Sequence, residues 1–264
     1  MIKHIPKRAL ILIGIFILVL LSIYLIRLYS LTYRPNINTV HVINLDKDTK
    51  RWDNILSSTK SVKVPVERWS AVYGKSLTQQ EMKQQGVGYV MTRPGKGSSH
   101  EQDNNLRNQG VVGCFLSHRN LLTYLASLDV PENYGHLILE DDVNLPADFS
   151  HSDDEWHTIK QKIPFDWDIV YLDITTPTGN LISKRIMKLT YKTEDTRGNW
   201  GTHAYLVRHG SIKTKILPWL KYMIDAYDEQ MMMKFNEWNC YTVVPGIIPL
   251  NKELSCDSNI QNVD

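Results

Sequence analysis

Between Ala9 and Ile26 the chain reads ALILIGIFILVLLSIYLI, 18 residues without a charge. A run of this kind has no polar face to turn toward water, so it restricts the first part of the chain to a helix with an apolar surrounding. Its helical rise is about 27 Å, just enough for a bilayer core. Lys3, Lys7 and Arg8 precede it, and Arg27 and Arg34 follow. With both flanks basic, the preference for a cytosolic N-terminus is weak. A cleaved signal would have a shorter apolar region and a small-residue cleavage site, which Arg27-Leu28-Tyr29 does not offer. The expectation is a cytosolic tail (1–8), a transmembrane signal anchor (9–26), a short stem (27–38) and a folded body (39–264). That organisation describes a single-pass type II membrane protein. Its body would be lumenal, in Golgi or endoplasmic reticulum, or at the inner membrane of a bacterium.

The 264 residues suffice for one large or two small domains, and the body is long enough to bury a core without disulfide staples. With 42% apolar and 22% charged residues, a disordered chain, a collagen-like chain and a disulfide-rich miniprotein are excluded. The net charge is only +2, and all 28 acids lie beyond residue 34, so the body carries no nucleic-acid footprint. Cys114, Cys240 and Cys256 are odd in number and allow one internal pair at most. Cys114 falls in an apolar helical stretch and reads as packing; Cys240 with Cys256 is open either way.

Beyond a connector containing Pro35, strands and helices alternate. Residues 39–45 read as a buried strand and 47–58 as a helix, with a short strand inside 62–72. Thr78 with Glu81 three residues on has the signature of a capping box, and Gly86 stops the helix that follows. Residues 86–110 hold five of the 14 glycines and read as a long loop, of the kind used for lids and binding. Its Gly95-Lys96-Gly97-Ser98-Ser99 lacks the spacing of a phosphate-binding P-loop. A long amphipathic helix covers 110–128, with His118 on its apolar stripe and Gly113 and Ser117 one turn apart on a neighbouring face. Strands are expected over 136–142, 168–173, 186–192, 202–207, 241–244 and 246–250, and helices over 210–223 and 226–235. The sum is an α/β sandwich on a mixed, mostly parallel sheet.

The sharpest chemical signal is Glu140-Asp141-Asp142, where an apolar strand runs straight into three carboxylates. Adjacent carboxylates repel unless a cation or water compensates. Glu140 and Asp142 would share one face of the strand and Asp141 the other. Hard oxygens of this kind suit Mg²⁺ or Mn²⁺, and strand ends are where an open α/β sheet places its ligand crevice. An acidic surface loop is the bland alternative. Asp225 and Asp228 stand in an apolar helical stretch, and Asp173 ends a strand, so each could take a proton; Asp225 reads equally well as a helix cap. Trp167, Trp200, Trp219 and Trp238 could each stack on a ring-shaped ligand, though Trp is most often packing; Trp200, beside Gly201-Thr202, is the first candidate.

Taken in order, several motifs resemble glycosyltransferase family 25, which includes lipooligosaccharide and collagen hydroxylysine galactosyltransferases. They are Val42-Ile43-Asn44-Leu45-Asp46 with Arg51, Trp69-Ser70-Ala71-Val72-Tyr73-Gly74, Gly113-Cys114-Phe115-Leu116-Ser117-His118, Leu137 to Val143, Gly201-Thr202-His203-Ala204-Tyr205, the acid Asp225, and Asp257-Ser258-Asn259-Ile260. His203 and Tyr73 depart from the family pattern. The resemblance spans about residues 39–260 and implies a GT-A-type fold that binds a nucleotide sugar, UDP-galactose first, and inverts the anomeric carbon. It implies Asn44, Leu45, Arg51, Ser117, His118, Asp141 and Thr202 near the donor, and Mn²⁺ or Mg²⁺ on Asp142 and Glu140. Asp225, Asp228 and Asp173 are the candidate bases. The acceptor would be a hydroxyl of a glycan, glycolipid or glycoprotein. The competing readings are a non-catalytic relative acting in adhesion or as a partner subunit, and a metal-dependent hydrolase, which the lack of nearby histidine ligands disfavours.

Overall fold

The computed structural model describes residues 7–87, 106–146, 149, 155–191 and 198–255. Most of the expected glycine-rich loop, together with Cys256 and the 257–260 motif, lies outside them. The strands are β1 (Thr39–Asn44), β2 (Val66–Ser70), β3 (Gly135–Glu140), β4 (Ile169–Tyr171), β5 (Gly179–Ser183), β6 (Ile186–Leu189), β7 (Ala204–Arg208) and β8 (Cys240–Val243). They form one sheet in the order β2-β1-β3-β7-β4-β8-β6-β5. The helices among the described residues include α1 (Lys7–Thr32), α2 (Thr49–Ser58), α3 (Gln79–Gln84), α4 (Leu106–Ser127), α5 (Glu155–Lys160) and α6 (His209–Ser211). A π-helical turn (Ile212–Ile216), α7 (Leu217–Trp219), α8 (Tyr227–Met232) and α9 (Lys252–Ser255) complete them.

Strand alternation divides the core into two layers. Val40, Val42, Leu137, Leu139, Ala204 and Leu206 point to one face and meet Ile55 of α2 and Trp156 and Ile159 of α5. Ile43, Ile138, Tyr205 and Val207 point to the other and meet Phe115, Leu122 and Leu125 of α4 and Tyr227 and Met231 of α8. The period of two along each strand is therefore what makes a three-layer α/β/α sandwich. β1 pairs in parallel with both β2 and β3, and the helices before and after β2 lie on opposite faces. The C-terminal ends of β1 and β3 are therefore a topological switch point, the place where such sheets open a crevice.

Two expectations need correction. The sheet is mixed but not mostly parallel: β3–β7, β4–β7, β5–β6 and β6–β8 are antiparallel against three parallel pairs. The antiparallel β7 wedges between β3 and β4, a non-local choice that strand patterns do not reveal. The second correction concerns the apolar N-terminal run. It is helical, as α1, and its large side chains from Leu10 to Ile26 are exposed. Yet among the described residues no helix is long and apolar enough to cross a membrane. The transmembrane span is withdrawn. With it go the signal anchor, the type II topology, the membrane as a partner, and the lumenal or inner-membrane placement.

Candidate active site at the ends of β1 and β3

The cleft at the switch point is lined by Leu45, Asp48 and Arg51 after β1, by Ala71 to Lys75 after β2, by Gly113, Cys114, Ser117 and His118 of α4, and by Glu140, Asp141 and Asp142 after β3. Its walls are held very close. A side chain on Gly113 would stand 2.7 Å from the carbonyl oxygen of Val72 and 2.8 Å from the nitrogen of Gly74. Ser117 closes the same contact: its hydroxyl donates to the carbonyl of Gly113 (2.6 Å) and accepts from the amide of Val72 (2.8 Å). The two small residues one turn apart on α4 thus let the 72–76 segment lie directly on the helix backbone.

The three carboxylates have different surroundings. Asp141 is paired: it accepts from Arg51 (2.8 Å) and from the Asn44 amide (2.6 Å), while Asn44 in turn accepts from Arg68 (2.8 Å). Arg51 is also tied to the carbonyl of Leu254 (2.7 Å). Burial pushes the Asp141 carboxyl up despite these partners.

Glu140 is reached from the opposite side. Its Oε1 accepts from the Thr202 hydroxyl (2.5 Å) and lies 3.3 Å from His118 Nε2. Burial alone would raise this carboxyl, but His118 and Thr202 bring it down to about 2. Thr202 arrives here because β7 runs antiparallel to β3, and the ladder extends past the strand as the Glu140 amide donates to the His203 carbonyl (2.9 Å).

Asp142 is the exception. It is buried, its Oδ1 has no hydrogen-bond partner among the described residues, and Arg51 comes no nearer than 3.9 Å to its other oxygen. Burial and the charge of Glu140 push its carboxyl up to about 7. A buried oxygen without a donor, under the charge of a second carboxylate, is a costly arrangement that a cation would relieve.

Cys114, His118 and Glu140 form a candidate metal-binding group, with one donor atom from each lying within 4.8 Å of the others. Cys114 and His118 are four residues apart on one helix face, a spacing visible in the sequence where Cys114 reads only as packing. Burial pushes the Cys114 thiol well up, and a thiol must ionise to bind metal.

The structure brings together Asn44, Leu45, Arg51, Ser117, His118, Glu140, Asp141, Asp142 and Thr202. Asn44 and Thr202 act from behind the wall, and Ser117 spends its hydroxyl on the wall itself. The three candidate bases stand outside the lining. Asp173 accepts from His203 (3.1 Å) and is hemmed in by Gly246. Asp225 accepts from the amide of Ala226 (2.9 Å) just before α8. Asp228 accepts from the amides of Glu229 (2.9 Å) and Gly201 (3.4 Å), next to Thr202, and burial raises its carboxyl. Trp200 is pinned by Glu229 (3.0 Å) and packed against the core, which does not present it as a sugar platform. Tyr73 and Lys75 are lining residues that the motif reading did not single out as contacts. Cys114 and Cys240 are free thiols.

Residues 37–231 match the sequence profile described as "Glycosyltransferase family 25 (LPS biosynthesis protein)". The chain is 22% identical over 216 residues to Procollagen galactosyltransferase 1 of Danio rerio, covering 82% of this chain and 34% of that protein. It is 28% identical over 114 residues to a Glycosyltransferase 25 family member of Anopheles gambiae, covering 43% of this chain and 18% of the relative. A Drosophila melanogaster protein of the same description is 26% identical over 114 residues, 43% of this chain and 17% of its own. The chain thus spans about a third or less of the length of these relatives.

Proposed function

The chain belongs to glycosyltransferase family 25, and on that premise we propose that it transfers a hexose from a UDP-sugar to a hydroxyl of a glycan, glycolipid or glycoprotein acceptor, assisted by Mn²⁺ or Mg²⁺. Galactose is the first choice of donor sugar, taken from the name of the Danio rerio relative. The observation that carries this reading is the buried, unpartnered Oδ1 of Asp142 beside Glu140 in the cleft. Two hard oxygens at a strand end fit a small divalent cation, whereas the raised thiol of Cys114 does not favour a softer one. Asp142 and Glu140 would hold the cation, which when bound neutralises charge on the departing nucleoside diphosphate.

The remaining roles belong to the chain itself. Asp141 is the strut: Arg51 and Asn44 grip it and so fix the direction in which its two neighbours point. Leu45, Arg51, Ser117 and His118 border the donor, with Tyr73 and Lys75 on the facing wall. Of the three candidate bases, Asp228 is preferred. It sits behind Gly201 and Thr202, and burial raises its carboxyl, which makes it a stronger proton acceptor than an exposed aspartate. Asp173 and Asp225 are engaged in structural contacts.

The test is UDP release from a panel of UDP-sugars with Mn²⁺, Mg²⁺ or chelator. Release from one sugar, supported by metal and lost in Asp142→Asn, is the expected outcome. A folded protein that neither binds UDP with metal nor releases it from any sugar would end the transferase reading.

A further inference from the structure

Behind the cleft a line of hydrogen bonds runs from Glu140 into the core. His118 Nε2 lies 3.3 Å from Glu140 Oε1, His118 Nδ1 lies 2.9 Å from the Tyr205 hydroxyl, and that hydroxyl lies 3.0 Å from the Tyr227 hydroxyl. The four groups come from α4, β3, β7 and α8, so the line ties every element around the inner wall together. The His118 ring also stacks on Tyr227, with centroids 4.3 Å apart and planes 18° from parallel.

The direction of each proton follows from donor and acceptor chemistry. An ionised carboxylate only accepts, so the contact with Glu140 requires a hydrogen on Nε2 of His118. When the ring is neutral its Nδ1 is bare and accepts, so Tyr205 donates to it, whereas a protonated ring would donate from both nitrogens. Having donated its one proton, the Tyr205 oxygen accepts, and Tyr227 donates to it. Burial pushes both phenols up, so each keeps its proton. With a neutral ring the polarity of the line is single: Tyr227 to Tyr205 to His118 to Glu140. Thr202 donates to the same Oε1, and among the described residues no hydrogen bond reaches Oε2.

We propose that Tyr205 and Tyr227 are positioning residues: acting through the Nε2–H tautomer of His118, they hold Glu140 by one oxygen and leave the other turned to the cleft. The proposal deepens the transferase reading, since it rests on Glu140 serving the cation there. It also assigns His118 the work of orienting a carboxylate, in place of a direct bond to metal. A metal on Nε2 would move the ring proton to Nδ1, abolish the bond to Glu140 and reverse the two bonds beyond the ring.

The experiment is ¹⁵N NMR of the full chain with labelled histidine, the His118 signal being identified by its loss in His118→Gln. The expected metal-free state is Nε2–H, and it should persist when Mg²⁺ is added. Tyr205→Phe removes the donor to Nδ1 and should shift His118 to a mixture of tautomers. In the UDP-release assay kcat should fall roughly tenfold or more with the donor KM little changed, the range for orienting partners of metal-site groups. Tyr227→Phe, one link further out, should move the same readouts less. Nδ1–H in the wild type, or a tautomer and kcat both unmoved by Tyr205→Phe, overturns the proposal. Because the tautomer is read without turnover, a His118 that responds as expected in a chain that neither binds UDP with metal nor releases it from any sugar would sink the transferase reading and leave the positioning line standing.

Discussion

Asp141 and Asp142 are neighbours in sequence with opposite energetics. Asp141 carries a buried pair with Arg51 and the Asn44 amide, and removing one member of such a pair strands the other. Asp141→Ala should therefore cost about 3 kcal/mol in a urea titration, most of it from the abandoned Arg51. Asp142 has only the distant Arg51, at 3.9 Å, and among the described residues no donor to its Oδ1, and it sits under the charge of Glu140. Asp142→Asn removes a buried charge without changing shape, so the metal-free protein should be as stable as wild type or more so. The same substitution should abolish stabilisation by Mn²⁺ in the thermal melt. An Asp142→Asn protein that is markedly less stable without metal would mean the carboxylate has a donor after all. The triplet was legible in the sequence because three adjacent acids after an apolar strand are rare in chemistry as well as pattern. The division of labour within it was not legible, because Arg51 lies 90 residues from Asp141 and only the fold joins them. The same holds for His118. Its place on the apolar stripe of α4 accounts for its burial, but nothing in that stripe shows that the buried ring reaches Glu140.

At the scale of elements, the contact between α4 and the 72–76 segment sets the width of the cleft. No side-chain rotation can relieve a clash there, since the atoms facing a side chain on Gly113 are backbone and the segment itself would have to shift. Gly113→Ala should cost about 2 kcal/mol, within the range for overpacking, and should raise KM for the UDP-sugar more than it lowers kcat, because the wall moves while the carboxylates stay. An unchanged KM in a stable Gly113→Ala protein would show that this wall does not border the donor. The pairing of Gly113 with Ser117 was visible as spacing, and the capping box of Thr78 and Glu81 is present as the sequence pattern predicts, with both reciprocal bonds made. Elements without a local signature were missed. β5 is exposed over Gly179 to Ile182, so it shows no alternation of apolar and polar residues. Residues 246–250 were expected to form a strand, yet only Leu250 makes an isolated bridge, with Val143. The antiparallel placement of β7 was the most consequential omission, since it is what delivers Thr202 to Glu140 and Tyr205 to His118.

Over the whole molecule, the end of the sheet opposite the cleft carries a second cluster of titratable groups, and it governs acid stability. His136 at the start of β3 lies 3.0 Å from the Thr39 hydroxyl and 3.2 Å from His209, and His41 lies 3.0 Å from the same hydroxyl. Glu67 approaches His41 at 3.4 Å, and Lys213 and Glu132 act on His209. Burial lowers His41 from 6.5 to about 4; burial, then His41 and His209, lower His136 to about 3. Above pH 6.5 neither the folded nor the unfolded chain protonates these rings, and nothing is lost. Below 6.5 the unfolded chain takes up protons that the folded chain refuses, so stability falls until the pH passes about 4 for His41 and about 3 for His136. At pH 5 each ring should cost about 2 kcal/mol. Asp142 works in the opposite sense: its carboxyl is raised to about 7, so the folded state binds its proton first and gains stability as the pH falls. The wild-type profile is thus a sum of opposed contributions, and the histidine part must be read as a difference. His136→Gln, compared with wild type by urea denaturation at pH 7.5 and pH 5, should lose less stability on acidification by about 2 kcal/mol, whatever its stability at the higher pH. Equal losses in the two proteins would mean that His136 is not held neutral by the fold, and that the rings at this end of the sheet are open to water.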